Sequence, residues 1–265
     1  MTTAFGPRWA VILGLSIFRR LRFRAYDLRE RFRRLVDRQN LMNYEGKLFS
    51  QNGEDGILSE IFRRIGTTNR FAVEIGVNYQ TGSLQCNTRA LVEREGWTAV
   101  WIDGNEATIR QAKVDFATLP VKPVARFLTR DNIAKTFVEA GVPSEPDLLT
   151  IDVDGNDYWL WNAVSGVRSR VVVVEYNAAM GPAKDWVMPY DEQHQWDGSD
   201  RFGASLKALE RSGVNLGYSL VGCDSQGVNA FFVRKDLLGS SFSKAEAGSA
   251  YHYVVGKYNH PHLGW

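Results

Sequence analysis

The chain of 265 residues has few cysteines and histidines, and no apolar run that could span a membrane. Cys86 and Cys223 are too few for a disulfide framework, and no histidines stand beside them at the spacing of zinc ligands. A reduced, cytoplasmic setting is the default for such a chain. Its apolar stretch at Trp9–Phe18 is half the ~20 residues that a spanning helix needs.

Positive charge is concentrated at the N-terminus. Residues 1–40 hold ten arginines, no lysine and only three acids, so they are strongly basic while the remainder of this chain of net charge +2 is acidic. Apolar residues recur among the arginines at roughly helical spacing. We therefore predict a basic amphipathic helical extension over residues 1–45 and one domain over residues 46–265.

Three roles stay open for this extension. It could pack on the domain or on the second copy in a homodimer. It could make peripheral contact with an anionic membrane at its inner face, because arginine-rich helices with Trp, Phe and Leu opposite behave in that way. Binding to nucleic acid is the third role, but no recognition motif follows the extension, so we expect no nucleic-acid partner.

The chain also lacks the Gly-x-Gly-x-x-Gly fingerprint on which the pyrophosphate of a nicotinamide cofactor would sit. Instead, a short apolar strand at Phe71–Ile75 contains Glu74, and a second one at Trp97–Ile102 leads into Asp103. About 30 residues separate the two acids, the length of one strand–helix–strand unit. An acid after the second strand accepts hydrogen bonds from ribose hydroxyls, so the pattern predicts a nucleoside-binding α/β domain.

The acid of the first strand distinguishes between cofactor classes. Glu74 would repel a pyrophosphate but suits S-adenosyl-L-methionine, whose amino group and sulfonium are cationic. We place Glu74, Gly76 and Gly82 at the methionine end, Asp103 on the ribose, and Phe127–Thr129 beside the adenine. The full predicted cofactor-binding set is Gln51, Glu54, Glu74, Gly76, Asn78, Gly82, Asp103, Phe127, Leu128 and Asp152.

Strand-like and helix-like segments alternate through the domain. Val171–Glu175, the most β-branched run, suits the centre of a parallel sheet that is covered on both faces. Two last strands, Tyr218–Gly222 and Asn229–Arg234, are separated by a short turn. The pattern predicts an α/β, Rossmann-like class I methyltransferase fold with a mostly parallel seven-stranded sheet and a C-terminal antiparallel hairpin.

Acidic residues follow or end four of the predicted strands. The carboxyl ends of parallel strands meet at one edge of the sheet, and like charges that converge there are costly unless a cation is bound. The cofactor is one such cation. A second would be Mg²⁺ or Mn²⁺, because an oxygen-only ligand set excludes zinc. The predicted metal ligands are Asp152, Asp154, Glu175 and Asn177; the alternative is that Asp154 and Asn156 only shape a turn.

Residues 176–202 form a segment that is longer than the usual loops of a compact domain, and such loops usually carry function. Its aromatic, Asp, Gln and His side chains are typical of a sugar or polyol site. His194 is the only histidine before residue 250, and a histidine has the ordinary pKa nearest neutrality among general bases. We predict His194, Asp152 and Asp154 as catalytic residues; the alternative for His194 is a structural hydrogen bond.

Taken together, the motifs resemble the FkbM-type S-adenosylmethionine-dependent methyltransferases, in the order of that family, over residues 46 to 236. The residues that carry this resemblance are Phe49–Gly56, Val73–Gly76, Cys86–Arg89, Glu95–Trp97, Trp101–Asp103, Ile151–Gly155 and Gly227–Arg234. It implies O-methyl transfer, in the family often to sugars or polyketide hydroxyls. The segment between Gly76 and Gly82 is longer than the family pattern, and the basic extension lies outside the resemblance.

The sequence therefore predicts an S-adenosylmethionine-dependent O-methyltransferase that acts on a hydroxyl of a carbohydrate or glycoconjugate with divalent-metal assistance. Two alternatives stay open. One is methylation of a polyketide or lipid-linked small molecule, and the other is a non-catalytic nucleoside-binding scaffold at the membrane. A silent scaffold has no need of Asp152, Asp154 and Glu175 together.

Overall fold

The computed structural model describes residues 37–80, 82–242 and 245–254. The predictions for residues 1–36, including the basic helix and its membrane contact, lie outside this part of the chain. Among the described residues, no helix has the length and apolar character needed to cross a membrane.

Strands and helices alternate along the described chain. The strands are β1 Phe71–Ile75, β2 Asn78–Gln80, β3 Ser83–Gln85, β4 Thr98–Asp103, β5 Val121–Ala125, β6 Leu148–Ile151, β7 Val171–Glu175, β8 Tyr218–Cys223 and β9 Asn229–Arg234. The helices are α1 Glu54–Ile65, α2 Arg89–Glu95, α3 Glu106–Asp115, α4 Ile133–Ala140, α5 Asp157–Ala163, α6 Leu206–Leu216 and α7 Ala247–Ala250. Short 3-10 helices lie at Leu41–Tyr44, Ala178–Met180 and Lys235–Leu237.

Seven strands form one sheet in the order β5-β4-β1-β6-β7-β9-β8. Strand β9 runs antiparallel to both of its neighbours, and the other pairs are parallel. The predicted α/β, Rossmann-like fold with its terminal antiparallel hairpin is therefore confirmed. The separate hairpin of β2 and β3 was not predicted, because three-residue strands are too short to show a periodic apolar pattern.

The sheet has an apolar core on each face. Successive residues of a strand point to opposite faces, so Val172 and Val174 pack in one core while Val171 and Val173 pack in the other. All five residues of β7 are buried. This confirms that Val171–Glu175 is a central strand covered on both sides.

The residues just before the predicted domain are part of its packing. Leu41 is buried in one of the two cores, and its side chain contacts the backbone position of Gly222 in β8. The carboxylate of Glu45 accepts hydrogen bonds from the backbone N–H and the hydroxyl of Ser225. Leu41 and Glu45, which lie on the extension side of the predicted boundary, thus contact the domain.

A buried ion pair ties the start of the sheet together. Asp147 is fully buried and accepts hydrogen bonds from the backbone N–H groups of Thr68, Asn69 and Arg70. Its Oδ1 also accepts one from Nη1 of Arg170 at 2.7 Å. The same guanidinium donates to the backbone carbonyls of residues 65 and 66, which end α1.

Replacing Arg170 with alanine should lower the free energy of unfolding by about 3–5 kcal/mol, because the carboxylate of Asp147 would stay buried without its partner. The matched control is Arg211→Ala, which removes a half-exposed ion pair with Asp185 and should cost about 0–1 kcal/mol. Urea denaturation of both variants measures the difference. Equal losses of unfolding free energy in the two variants would show that burial does not make the Asp147–Arg170 ion pair contribute more than an exposed one.

Candidate functional site

A cavity of about 870 Å³ opens at the carboxyl edge of the sheet. This volume lies within the range of sites for small molecules and cofactors. Most of the predicted site residues line it: Gln51, Glu54, Glu74, Gly76, Asn78, Asp103, Phe127, Leu128, Asp152, Asp154, Glu175 and His194. Gly82 and Asn177 do not.

Gly82 lies in the turn between β2 and β3, at a φ of +78°. It borders a separate surface depression together with Tyr79 and Arg89. The hairpin that the sequence analysis missed therefore carries Gly82 away from the cavity. Gly82 thus lies apart from the other residues predicted for the methionine end.

Gly76 is required by the approach of two strand ends. It has a φ of +90°, and a Cβ built there would lie 1.5 Å from the backbone oxygen of Asp152. The backbone N–H of Asp152 donates to the carbonyl of Ile75 at 3.0 Å, and that of Gly76 donates to the carbonyl of Ile102 at 2.9 Å. The absence of a side chain at Gly76 thus lets the ends of β1, β4 and β6 meet at the cavity.

Glu74 is buried, and its carboxylate is held by the chain that follows β3. It accepts hydrogen bonds from the backbone N–H groups of Asn87, at 2.6 Å, and Thr88, at 2.8 Å, and from the Thr88 hydroxyl. Burial raises the pKa of Glu74, and these hydrogen bonds oppose the rise. Glu74 therefore orders one wall of the cavity in addition to supplying negative charge there.

Asp103 and Phe127 lie side by side at another wall. Oδ1 of Asp103 accepts a hydrogen bond from the backbone N–H of Asn105 at 2.6 Å, and burial raises the pKa of Asp103. The Phe127 ring is 45% exposed, which is unusual for phenylalanine. It packs close to Gly104, where a Cβ would come within 2.9 Å of the ring. A carboxylate beside an open aromatic face suits a ligand with both hydroxyls and a flat heterocycle.

Three acids form a compact cluster at the end of β6 and β7. Carboxylate oxygens of Asp152, Asp154 and Glu175 all lie within 4.8 Å of one another. Burial raises the pKa of Asp152 and of Glu175 well above the usual range, and repulsion from the neighbouring acids adds to the rise. Glu175 is buried, and its Oε2 has no hydrogen-bond partner among the described residues.

This cluster, called the acid triad below, fits a divalent cation. Its donors are all oxygens, which Mg²⁺ and Mn²⁺ prefer. The buried Oε2 of Glu175 has no hydrogen-bond partner among the described residues. Burial of an unpartnered polar atom is unfavourable, and a bound cation would offset this cost.

Asn177, predicted as a fourth metal ligand, does not belong to this group. Its Oδ1 accepts the backbone N–H of Ala179 and so caps the 3-10 helix that begins there. Its Nδ2 donates to the carbonyls of Asp200 and Phe202. The Asn177 side chain therefore holds the long loop and does not line the cavity with the three acids.

The turn after β6 is organised by Asp157 instead of by Asp154 and Asn156. The buried carboxylate of Asp157 accepts the backbone N–H groups of Val153 at 2.8 Å and Gly155 at 2.9 Å. Burial raises the pKa of Asp157 to about 7. Asp154 stands in the left-handed region at a φ of +53°, which an aspartate tolerates better than most residues. Because Asp157 shapes the turn, the Asp154 carboxylate is left for the acid triad.

His194 lies directly on this turn. A Cβ at Gly155 would come within 2.1 Å of its ring, so only glycine lets the imidazole pack there. Nε2 of His194 lies 3.2 Å from the carbonyl oxygen of Asp154. A carbonyl can only accept, so Nε2 carries the proton in that bond and Nδ1 is the basic nitrogen. The contact is consistent with both the structural and the catalytic interpretation.

Several cavity residues were missed by the sequence analysis: Asn87, Asn105, Arg126, Asn156, Trp196 and Asn229. Asn156 donates from Nδ2 to the carbonyl of Asp191 at 2.7 Å, which joins the long loop to the turn after β6. Asn229 begins β9 opposite Glu175. Its place at the edge of the predicted antiparallel hairpin was the one available signal.

No family model matches the chain, and no curated protein matches it. Among solved structures, it is similar to the N-terminal domain of EvdMO1 in the presence of SAH and D-fucose, with 14% identity and a TM-score of 0.42 over 68% of this chain and 80% of that one. MycE methyltransferase from the mycinamycin biosynthetic pathway, in complex with Mg, SAH and mycinamycin VI, shows 16% identity and a TM-score of 0.42. The similarity covers 69% of this chain and 50% of that one.

An S-adenosylmethionine-dependent methyltransferase from Clostridium acetobutylicum shows 11% identity and a TM-score of 0.40 over 67% of this chain and 89% of that one. At these levels of similarity the comparisons assign neither a family nor a function. The resemblance to the FkbM-type family stays a prediction.

Gly76→Ala should destabilise the protein far more than Gly82→Ala. Both residues have a positive φ, so each substitution carries a backbone cost of about 1–3 kcal/mol. Only the Cβ at residue 76 would also overlap a backbone carbonyl, whereas nothing lies within 4 Å of the one at residue 82. Denaturation in urea compares the two variants, and a similar loss for both would contradict the close approach of β1 and β6.

Proposed function

We propose that the protein is an S-adenosyl-L-methionine-dependent O-methyltransferase that acts on a hydroxyl of a carbohydrate or glycoconjugate with the help of Mg²⁺ or Mn²⁺. The observation that carries the proposal is the content of one cavity. A wall suited to a nucleoside, a triad of acids with an unpartnered buried oxygen, and an imidazole all face it. Because one fold can host many functions, this site and not the sheet supports the proposed function.

The cofactor half of the cavity offers the groups that S-adenosylmethionine needs. Asp103 would hold the ribose hydroxyls, and Phe127 and Leu128 would border the adenine. Glu74 and Asp152 give the opposite end a negative character that suits a sulfonium and an amino group. Gln51 and Asn78 line the cavity with polar side chains. The cofactor would supply an electrophilic methyl group on sulfur.

Glu54 also lines the cavity, but its oxygens already accept hydrogen bonds from Asn52 and Asn229. Any contribution of Glu54 to cofactor binding is therefore through the loop Gln51–Gly53 that it orders. This loop leads into α1 at the edge of the cavity.

The acid triad and His194 would handle the acceptor hydroxyl. A divalent ion held by Asp152, Asp154 and Glu175 would lower the pKa of that hydroxyl. Nδ1 of His194 would take the proton, since Nε2 is bonded to the carbonyl of Asp154. Methyl transfer is an in-line displacement, so most of the rate would come from holding the two reactants at contact distance.

The long loop supports a sugar-like acceptor. Trp196 lines the cavity and is 40% exposed, with its ring edge-on to Phe202. Such a fixed aromatic face can stack on the C–H face of a sugar ring, and Gln195 beside it offers hydrogen bonds to hydroxyls. A polyketide or lipid-linked hydroxyl would use the same groups and is the alternative acceptor. A non-catalytic scaffold would have no use for three acidic side chains placed so close together, although their mutual repulsion is unfavourable.

Asp103→Ala should weaken binding of S-adenosylmethionine at least tenfold, because each hydrogen bond to a charged group contributes about 1.5–3 kcal/mol. Isothermal titration with S-adenosylmethionine and S-adenosylhomocysteine measures the effect. Asp131→Ala, an exposed aspartate outside the cavity, is the control and should bind as the unmodified chain does. Unchanged affinity in folded Asp103→Ala would refute the ribose assignment.

His194→Ala should lower turnover by roughly 10²–10⁴, the usual contribution of a general base, without changing the affinity for the cofactor. The assay follows transfer of a tritiated methyl group from S-adenosylmethionine to a panel of free and lipid-linked sugars. Gln193→Ala, an exposed neighbour in the same loop, is the control.

In the same assay, EDTA should abolish transfer and Mg²⁺ or Mn²⁺ should restore it. Full activity in EDTA would remove the metal from the proposal. Near-normal turnover of His194→Ala would leave this histidine with the structural role alone.

A further inference from the structure

Asn229 and Glu175 form a cross-strand pair at the floor of the cavity. They face each other directly in the antiparallel ladder between β9 and β7. Side chains in such a pair project to the same face with their Cβ atoms about 4.5–5.5 Å apart. Both residues line the cavity, and both are almost completely buried, with 2% and 3% of their surface exposed.

Each member of this pair has an unpartnered oxygen. Oε2 of Glu175 and Oδ1 of Asn229 are buried and accept no hydrogen bond from the described residues. Buried oxygens of this kind are uncommon, and those that line a cavity can take a water molecule, an ion or another ligand as a partner. Because these two oxygens belong to facing residues, a single ligand can contact both.

The orientation of the Asn229 amide follows from its hydrogen bond to Glu54. Nδ2 donates to Oε1 of Glu54 at 2.9 Å. Because the nitrogen and oxygen of an amide point in divergent directions, this bond turns Oδ1 away from Glu54. The opposite orientation of the amide would place Oδ1 of Asn229 against Oε1 of Glu54, and two acceptor oxygens cannot form a hydrogen bond.

Glu54 is itself rigidly held. It is fully buried, and it accepts hydrogen bonds from the backbone N–H and the side-chain Nδ2 of Asn52 at 2.7 and 2.9 Å. The backbone N–H of Asn229 donates to Oδ2 of Asp224, which holds the start of β9. Both ends of the Glu54–Asn229 bond are thus fixed before any ligand arrives.

We propose that Oδ1 of Asn229 is the fourth protein ligand of a divalent cation held by Asp152, Asp154 and Glu175, and that Glu54 aims it. This inference rests on the metal part of the proposed function and names the residue that takes the place predicted for Asn177. A neutral carbonyl oxygen suits that position, because three carboxylates already more than balance a divalent charge. A fourth carboxylate would add repulsion at a site that already holds three acids.

Mn²⁺ binding to the full chain in the absence of cofactor tests the assignment. Electron paramagnetic resonance of free Mn²⁺ gives the affinity. Asn229→Ala should weaken binding about 10–100-fold, and Glu54→Gln, which disturbs the partner that orients the ligand, should weaken it by about tenfold. Asn162→Ala, outside the cavity on α5, is the control and should change nothing.

A second measurement does not require a folded variant of Asn229. The unmodified chain, labelled with ¹³C at the side-chain carbonyl of asparagine, should show a strong ¹³C hyperfine coupling to bound Mn²⁺. Asn156 also has an unpartnered buried Oδ1 in the cavity, so Asn156→Ala in the labelled chain distinguishes the two residues. If the ¹³C coupling persists in Asn156→Ala, Asn229 is supported as the metal ligand. If the coupling is lost in this variant, the assignment of Asn229 is overturned.

The outcomes separate this inference from the proposed function. If the unmodified chain binds Mn²⁺ without a ¹³C coupling, or if Asn229→Ala binds Mn²⁺ equally well, only the assignment of Asn229 fails. A loss of affinity for S-adenosylmethionine with unchanged Mn²⁺ affinity in Asn229→Ala also overturns it and makes the residue a cofactor contact. If the unmodified chain binds no Mn²⁺, the metal part of the proposed function fails as well.

Discussion

The gathering of acidic side chains at the carboxyl edge of the sheet is the constraint on which the site depends. Desolvation and mutual repulsion both penalise carboxylates that are buried close together. The chain satisfies some of them with its own donors. Glu74 is held by the segment after β3, Asp157 by the turn after β6, and Glu54 by the loop before α1. These acids build the walls of the cavity. In the acid triad, by contrast, Oε2 of Glu175 has no hydrogen-bond partner among the described residues, which is why the proposed cation is placed there.

The sheet and most of the cavity could be predicted from the sequence because they follow from local patterns. Buried parallel strands are continuous apolar runs, as at Val171–Glu175, and the carboxyl ends of parallel strands always share an edge. Acids placed after such runs therefore meet, wherever the connecting helices lie. This rule places Asp103 and Asp152 in the cavity without any knowledge of the fold beyond the order of its elements.

The sequence pattern did not indicate placements that depend on hydrogen bonds between distant segments or on a short local hairpin. Asn177 follows a strand end just as Asp152 does, but its Nδ2 donates hydrogen bonds to the carbonyls of Asp200 and Phe202. Gly82 lies outside the cavity because Asn78–Gln80 and Ser83–Gln85 form a hairpin of their own. Asn229 was missed because its partner Glu54 lies 175 residues away, and no spacing rule joins the start of the last strand to the first helix.

The turn after β6 and the long loop act as one unit, and this couples the acid triad to His194. Asp157 bends the turn so that Asp154 takes a left-handed conformation and Gly155 offers a surface without a side chain. The imidazole of His194 occupies that surface, and Asn156 bonds to the same loop through the carbonyl of Asp191. A ligand that draws the Asp154 carboxylate toward Glu175 therefore acts on the backbone to which His194 is hydrogen-bonded. The proposed cation site and the imidazole thus share one residue, since Asp154 offers its carboxylate to the acid triad and its carbonyl to Nε2 of His194.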